Sequence, residues 1–329
     1  MSSLVASGYK PRGRLYCNQF MVKKISHQGI TWIDVTSPTK DEVQDLAKEH
    51  DLHPLLQNEL LSPSLRSKVD VYEEYLFLVL HFPRCAICQG EPAEILGDSQ
   101  EVDFIIGKNA LITTHYEPIA QLDELAEIME VNPASYRSSE KTHAGHLLFA
   151  IIRRLYQNQD DALLLLNQKL KEAEGRIFAG EEKTMVKELS NLNRELLDFH
   201  WALKNHSDVL ASFEVAGREF FGDTFRYYLR AIIGEYEKIW NALQSNRETG
   251  NELRQTNESL LAIKTNEVMK ILTIMAFITF PLTVFTSLFG MNTVNNPILG
   301  RPNDFWDIVV IMLAAVSLMF IFFRYKKWL

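Results

Sequence analysis

Cysteine is scarce in this chain. Only Cys17, Cys85 and Cys88 occur among 329 residues, an odd number in a long sequence, so no disulfide framework is implied. Cys85-Ala86-Ile87-Cys88 has the spacing of half a zinc site, but no second pair or well-spaced histidine set completes four ligands, and a reduced loop is expected. Basic stretches are equally short. The net charge is −8 at pH 7 and no Lys/Arg-rich stripe precedes the apolar C-terminal part, which argues against a nucleic-acid partner. A Gly-rich phosphate loop ending in Gly-Lys-Ser/Thr is missing, so no nucleotide motif is present. His143 and His146 are spaced i, i+3 without an intervening Glu; the metalloprotease pattern is absent, and a role at a helix start or plain exposure is expected. No nucleophile–base set emerges, which excludes an enzyme and an organic cofactor on these signals. Residues 1–14 are polar with Gly and Pro rather than signal-like, and the N-terminal part is expected to stay in the cytosol.

Charge is absent in one place above all. Residues 271–290 contain none, and twenty apolar residues at about 1.5 Å each span roughly 30 Å, the thickness of a bilayer core. A buried core helix of that length would carry a polar stripe; a membrane span, in contact with lipid, fits better. A second apolar run over residues 305–323 has Asp307 near its outer end and is followed by Arg324, Lys326, Lys327 and Trp328. Basic residues belong on the cytoplasmic side with Trp in the interfacial belt, and Lys264 and Lys270 before the first run give the same sign. Both termini are therefore expected inside, with a short outer loop between two spans.

The first run is not uniformly apolar. Thr273, Thr279, Thr283, Thr286 and Ser287 fall within one half of a helical wheel. Asn266, Thr273, Phe280 and Ser287 repeat every seventh residue, with Met269, Ala276, Thr283 and Gly290 three positions on. Such a seam faces either partner helices or a pore. Pro281 removes one backbone hydrogen bond and is expected to bend the helix.

Upstream, residues 15–135 read as a mixed α/β domain. Strands are expected over 29–35, 69–72 and 75–82, the last so continuously apolar that both its faces should be covered. Residues 102–106 and 110–114 should form a hairpin around Gly107-Lys108-Asn109. Ser37 or Thr39 should cap a helix with Asp41 and Glu42 in its first turn, and a further helix is expected over 119–129. From His143 the pattern is helical: one helix over 143–178, a break at Ala179-Gly180, a second over 181–215, and a third from Gly217 that runs unbroken to Pro281. Ile232, Tyr236, Ile239, Leu243, Leu253, Leu260 and Ile263 supply its apolar seam, diluted by Asn246, Gly250 and Asn257.

Phe289-Gly290-Met291-Asn292 resembles the Gly-Met-Asn signature at the outer end of the first membrane helix in the CorA family of divalent-cation transporters. Asn266-Glu267-Val268-Met269-Lys270, Leu272-Thr273-Ile274, Pro281-Leu282-Thr283 and the closing Lys326-Lys327-Trp328-Leu329 extend the likeness over about the last 65 residues. Trp32-Ile33-Asp34, His53-Pro54-Leu55 and residues 69–75 are similar to shorter pieces of that family's domain. The resemblance implies an α+β cytoplasmic domain, layered α/β/α, then a long stalk helix and two transmembrane helices. It implies a homo-oligomeric membrane channel, a homopentamer in the lipid of the cell (inner) membrane. The expected domains are an α/β domain over 1–135, antiparallel helices over 136–216, the stalk over 217–270, the first, pore-forming span over 271–292, an external loop over 293–304, and the second span with its basic end over 305–329.

The resemblance further implies passive passage of Mg²⁺, with Co²⁺ and Ni²⁺ as further candidates, through a filter of Gly290, Met291 and Asn292. Mg²⁺ dehydrates reluctantly, and a neutral ring of Asn292 carbonyls from several copies would hold it with its waters attached. Asn266, Met269, Thr273, Ala276, Phe280, Thr283 and Ser287 would line the pore, Phe280 and Met269 as apolar constrictions that gate by dewetting. Three positions depart from the family pattern. No carboxylate occurs between Asn292 and Asp304, Phe280 stands where Met is common, and Ala231 stands where an Asp is common. Mg²⁺ as a regulatory ion would then need other carboxylates, with Glu91, Glu94, Glu235 and Glu237 as candidates. The alternatives are a ZntB-like zinc transporter, which the missing acidic loop keeps open, and a membrane-anchored structural or sensing protein without transport.

Overall fold

The computed structural model describes residues 21–27, 29–84, 99–131, 143–291 and 303–326. Six strands form one mixed sheet: β1 (Met21–His27), β2 (Ile30–Thr36), β3 (Lys68–Val71), β4 (Leu76–Phe82), β5 (Gln100–Ile106) and β6 (Ala110–His115), in the order β1-β2-β6-β5-β4-β3. Only β2 and β6 run parallel; the other neighbours are antiparallel. The expected strand and hairpin at β4 to β6 are present, and Gly107 N closes the hairpin on the Ala110 carbonyl at 2.9 Å. Every residue of β4 is buried. Phe77 and Val79 face a core with Val43, Leu46, Leu56 and Leu60, while Phe82 on the opposite face meets the Tyr156 ring edge-on at 5.4 Å. A strand covered on both sides has no use for alternation, hence its unbroken apolar sequence.

Helix α1 (Lys40–His50) begins at Thr39, whose hydroxyl accepts from Glu42 N while the Glu42 carboxylate accepts from Thr39 N at 2.9 Å. That reciprocal pair satisfies two orphan donors of the first turn. Ser37, the other candidate cap, sits at φ 52° instead. Two elements escape the sequence pattern: β1, a polar edge strand, and α2 (Pro54–Glu59), one short turn started by Pro at its first position. Helix α3 (Ala120–Val131) lies against β1.

The helical part differs from expectation at its breaks. Helix α4 (Ala144–Phe178) ends at Gly180, which has φ 97°. The single helix expected over 181–215 is two, α5 (Glu182–Leu203) and α6 (His206–Phe221), and the long helix α7 runs Arg226–Phe289 rather than starting at Gly217. Gly222, at φ 89°, makes that turn. Gly217 lies inside α6, buried, where an added Cβ would stand 3.1 Å from Leu229 Cδ1. Its missing side chain serves close packing, not a break. Pro281 is accommodated inside α7 without ending it. Helix α8 (Asp304–Tyr325) closes the chain.

The described chain divides into two compact units. The first holds the sheet, α1 to α3, α4 up to Ala173, and residues 187–251. Its sheet has α1 and α2 on one face and α4 and α6 on the other, the expected α/β/α layering. The second holds residues 174–186 and everything from Glu252 onward.

Candidate functional site

Helices α7 and α8 each contain a segment long and apolar enough to cross a membrane. Within residues 271–289 of α7 the less exposed positions, apart from Thr273, are Ile274, which is buried, and Ile278, Pro281, Leu282 and Phe289, which are half-buried. Their spacing of three, four and seven keeps them on one side. Beside that face, the Phe277 ring meets Phe323 of α8 at 6.5 Å, near edge-on.

The predicted pore-facing residues lie elsewhere on the helix. At about 100° per residue, Asn266, Met269, Thr273, Ala276, Phe280, Thr283 and Ser287 fall within an arc of roughly 100°, centred about 160° from the Ile274–Leu282 face. Thr273 is half-buried and the other six are exposed. The threonines have a definite orientation. Thr273 Oγ1 donates to the Met269 carbonyl at 2.8 Å and Thr283 Oγ1 to the Thr279 carbonyl at 2.9 Å. Each hydroxyl proton is committed to the helix, which leaves the oxygen lone pairs free to accept. Acceptors at the surface suit the outward-pointing protons of a hydrated cation's water shell.

Gly290 N makes the last helical bond, to the Thr286 carbonyl at 2.9 Å. Its backbone is not left-handed; a Cβ there would lie 3.0 Å from that carbonyl oxygen. So glycine serves this helix end by close approach rather than by unusual φ. Met291 is exposed. Asn292 lies outside the described residues, as do Glu91, Glu94 and all three cysteines.

The remaining regulatory candidates belong to the first unit. Glu235 pairs with Arg153 at 3.3 Å, and Glu237 is exposed. Among the described residues no group of three or more His, Cys, Asp or Glu is arranged to hold a metal ion. His143 starts α4, its Nδ1 accepting from Gly145 N at 3.2 Å, and its ring stacks on Phe221 at 4.4 Å. Burial lowers its pKa to about 4.

The polar residues that seemed to dilute the α7 seam are contact residues. Asn246 is buried, and its Nδ2 donates to the Leu163 carbonyl at 2.9 Å. Gly250 sits where a Cβ would run into Asn193 Oδ1. Asn257, also buried, donates to the Glu182 carbonyl at 3.0 Å, and one further face position on, Lys264 Nζ reaches the Glu182 carboxylate at 2.5 Å. A seven-residue step from Asn257 to Lys264 was the available signal, since seven residues return to nearly the same face.

A profile described as CorA-like Mg²⁺ transporter protein matches residues 27–327. The cobalt/magnesium transport protein CorA of Thermotoga maritima is 26% identical over 300 residues, covering 91% of this chain and 83% of that protein. The protein of the same name from Methanocaldococcus jannaschii is 23% identical over 308 residues, covering 91% of this chain and 92% of its own length. The complete structure of the CorA magnesium transporter from Methanocaldococcus jannaschii superposes with a TM-score of 0.77 at 21% identity, covering 94% of this chain and 95% of that one. This likeness supports the fold: a soluble α/β domain, a long helix and two apolar C-terminal helices.

Proposed function

The chain belongs to the CorA-like Mg²⁺ transporter family, and on that premise we propose that it is a passive channel for hydrated divalent cations, Mg²⁺ first and Co²⁺ and Ni²⁺ as further candidates. Membership in a family of transporters, not enzymes, carries the coarse conclusion. The face of α7 from Asn266 to Ser287 carries the finer one. That face lies away from the positions grouped around Ile274 and leads directly to Gly290 and Met291. Several copies around an axis would bring these faces together, because one chain offers too few oxygens to surround an ion. A homopentamer with Asn292 carbonyls at its outer mouth is the proposed assembly, with both termini in the cytosol. The membrane potential would drive entry, at about 2.3 kcal/mol per charge per 100 mV and roughly twice that for a divalent ion.

Liposomes carrying the purified chain test this reading. Mg²⁺ and Co²⁺ uptake is expected, and Asn292→Ala should abolish or deregulate it. The carboxylate-free stretch after Asn292 favours one alternative, a ZntB-like zinc transporter. Uptake of Zn²⁺ alone, coupled to a proton gradient, would establish that alternative. No uptake of any ion by a folded oligomer would leave a membrane anchor or sensor.

A further inference from the structure

Two carboxyl groups stand side by side inside the α/β domain, both on strand β5 and both facing α2. Glu101 is 5% exposed and Asp103 is 1% exposed. Their partners are specific. Glu101 Oε2 accepts from Ser64 N at 2.7 Å and faces His81 Nε2 on β4 at 3.4 Å. Asp103 Oδ2 accepts from the Thr114 hydroxyl on β6 at 3.0 Å. One oxygen of each group, Glu101 Oε1 and Asp103 Oδ1, has no donor at all. The two side chains are within hydrogen-bonding reach of one another. Two buried, adjacent carboxylates would repel strongly, and an unsatisfied buried charge is costly. A single proton removes both difficulties. With Asp103 Oδ2 already an acceptor, the proton belongs on Oδ1, from which it is donated to Glu101 Oε1.

We propose that Glu101 and Asp103 form a proton-binding site in the α/β domain, holding one proton in common at neutral pH. The site stands independently of the transport reading. Several titratable and charged groups face it from other elements. His81 Nε2 is engaged with the Ser64 carbonyl at 3.0 Å and its Nδ1 with Ser67 Oγ at 3.1 Å. Glu59 on α2 adds negative charge, and its carboxylate is paired with Lys68 at 2.5 Å. Tyr116, beyond β6, has its phenol directed to the Glu59 carbonyl at 3.4 Å, and Arg84 is paired with Glu117. A cavity of about 250 Å³, lined in part by Ser64, His81, Glu101, Tyr116 and Glu117, gives water a route to Glu101.

Burial and then the Glu101 charge raise the Asp103 pKa well above its usual range. Burial works against ionised Glu101, but hydrogen bonds from His81 and Asp103 outweigh it and hold its pKa down. The sign for stability follows. An unfolded chain loses the Asp103 proton near pH 4, whereas the folded one keeps it, so the folded state binds more protons above that pH. Stability therefore falls as pH rises from there toward the raised folded pKa. Asp103→Asn keeps a donor toward Glu101 and an acceptor for Thr114 but carries no titratable proton.

Urea unfolding of the full-length protein in detergent, from about pH 6 to about pH 9, is the test. The parent should lose more stability across that range than Asp103→Asn. Parallel profiles would overturn the proposal. Should the variant fail to fold, infrared spectra of the parent labelled with ¹³C-carboxyl aspartate decide the matter. A protonated aspartate carbonyl band at neutral pH is expected, and its absence would overturn the proposal. Glu101→Gln, which removes the neighbouring charge, should move the loss of that band to lower pH; an unchanged titration would exclude sharing between the two groups.

Discussion

Asn246 Oδ1 accepts a hydrogen bond from Asn167 Nδ2 at 2.7 Å, so the long helix α7 is pinned to α4 by an amide pair. Its Nδ2 holds the Leu163 carbonyl on the same helix. An amide satisfied at both ends fixes one axial register, because a shift by a single turn strands every partner. Asn246→Ala should cost about 1–3 kcal/mol in urea unfolding of the purified chain, the usual loss when a buried partner is left unmatched. Leucine at both 246 and 167 should recover much of that stability; a double variant as weak as the single one would count against the pairing.

Gly250 provides a second check on the same contact face. A methyl group there must turn the end of the Asn193 side chain aside, which offsets part of the about 1 kcal/mol that Ala gains over Gly inside a helix. Gly250→Ala should therefore gain less than that amount in the parent, and the full amount in an Asn193→Ala background. Equal gains in the two backgrounds of the double-mutant cycle would show that the two residues do not meet.

Acid should weaken the first unit through its buried imidazoles. Burial lowers the His206 pKa to about 3 and that of His143 to about 4, against about 6.5 in an unfolded chain. Between those limits the unfolded chain binds more protons, so stability falls as pH drops from about 6.5 toward 4. His206→Gln, whose amide can still meet the Tyr156 hydroxyl now 2.8 Å from His206 Nδ1, should flatten that fall. Unfolding midpoints measured across the range would reveal it, and an unchanged slope would remove His206 from the account.

Cysteine labelling distinguishes the two faces of the first span. With Cys17, Cys85 and Cys88 replaced by serine, Ser287→Cys should be blocked by a charged thiol reagent and should cross-link between copies. Leu282→Cys, on the half-buried face grouped with Ile274, should do neither. Flux measured before and after labelling reads the result, and block at 282 with none at 287 would place the pore on the wrong side of the helix.

Phe280 should act as an apolar constriction. Phe280→Ala is expected to raise resting Mg²⁺ flux, since a wider and less apolar neck stays wet. Lower flux from a normally expressed variant would contradict a gating role at this position.

Much of the fold was legible because local rules and tertiary context agreed. Thr39 and Glu42 announce the start of α1 by their spacing, and the unbroken apolar run of β4 announces a strand covered twice. Where the two diverged, the sequence pattern misled. Gly217 and Gly222 look alike in a sequence, yet the first is packed under Leu229 and the second turns the chain at φ 89°. No residue between Leu203 and His206 is a strong helix breaker, so the division of α5 from α6 left no local mark. The buried pair Glu101 and Asp103 was equally silent, since alternating acidic residues in a strand ordinarily face water.

The amino-acid sequence by itself determined the two spans, their apolar lengths, the heptad seam from Asn266 to Ser287 and the Gly290-Met291-Asn292 terminus. Each of these follows from residue type and helical period, which are properties of one element. Only the tertiary structure decided which positions on each helix are covered. It grouped the less exposed apolar positions of the first span around Ile274, roughly opposite the seam, and it turned Asn246, Gly250 and Asn257 from weak points into contacts. Period sets the angle at which a side chain leaves its helix. What waits at that angle depends on other parts of the chain, brought close by packing that no single stretch encodes.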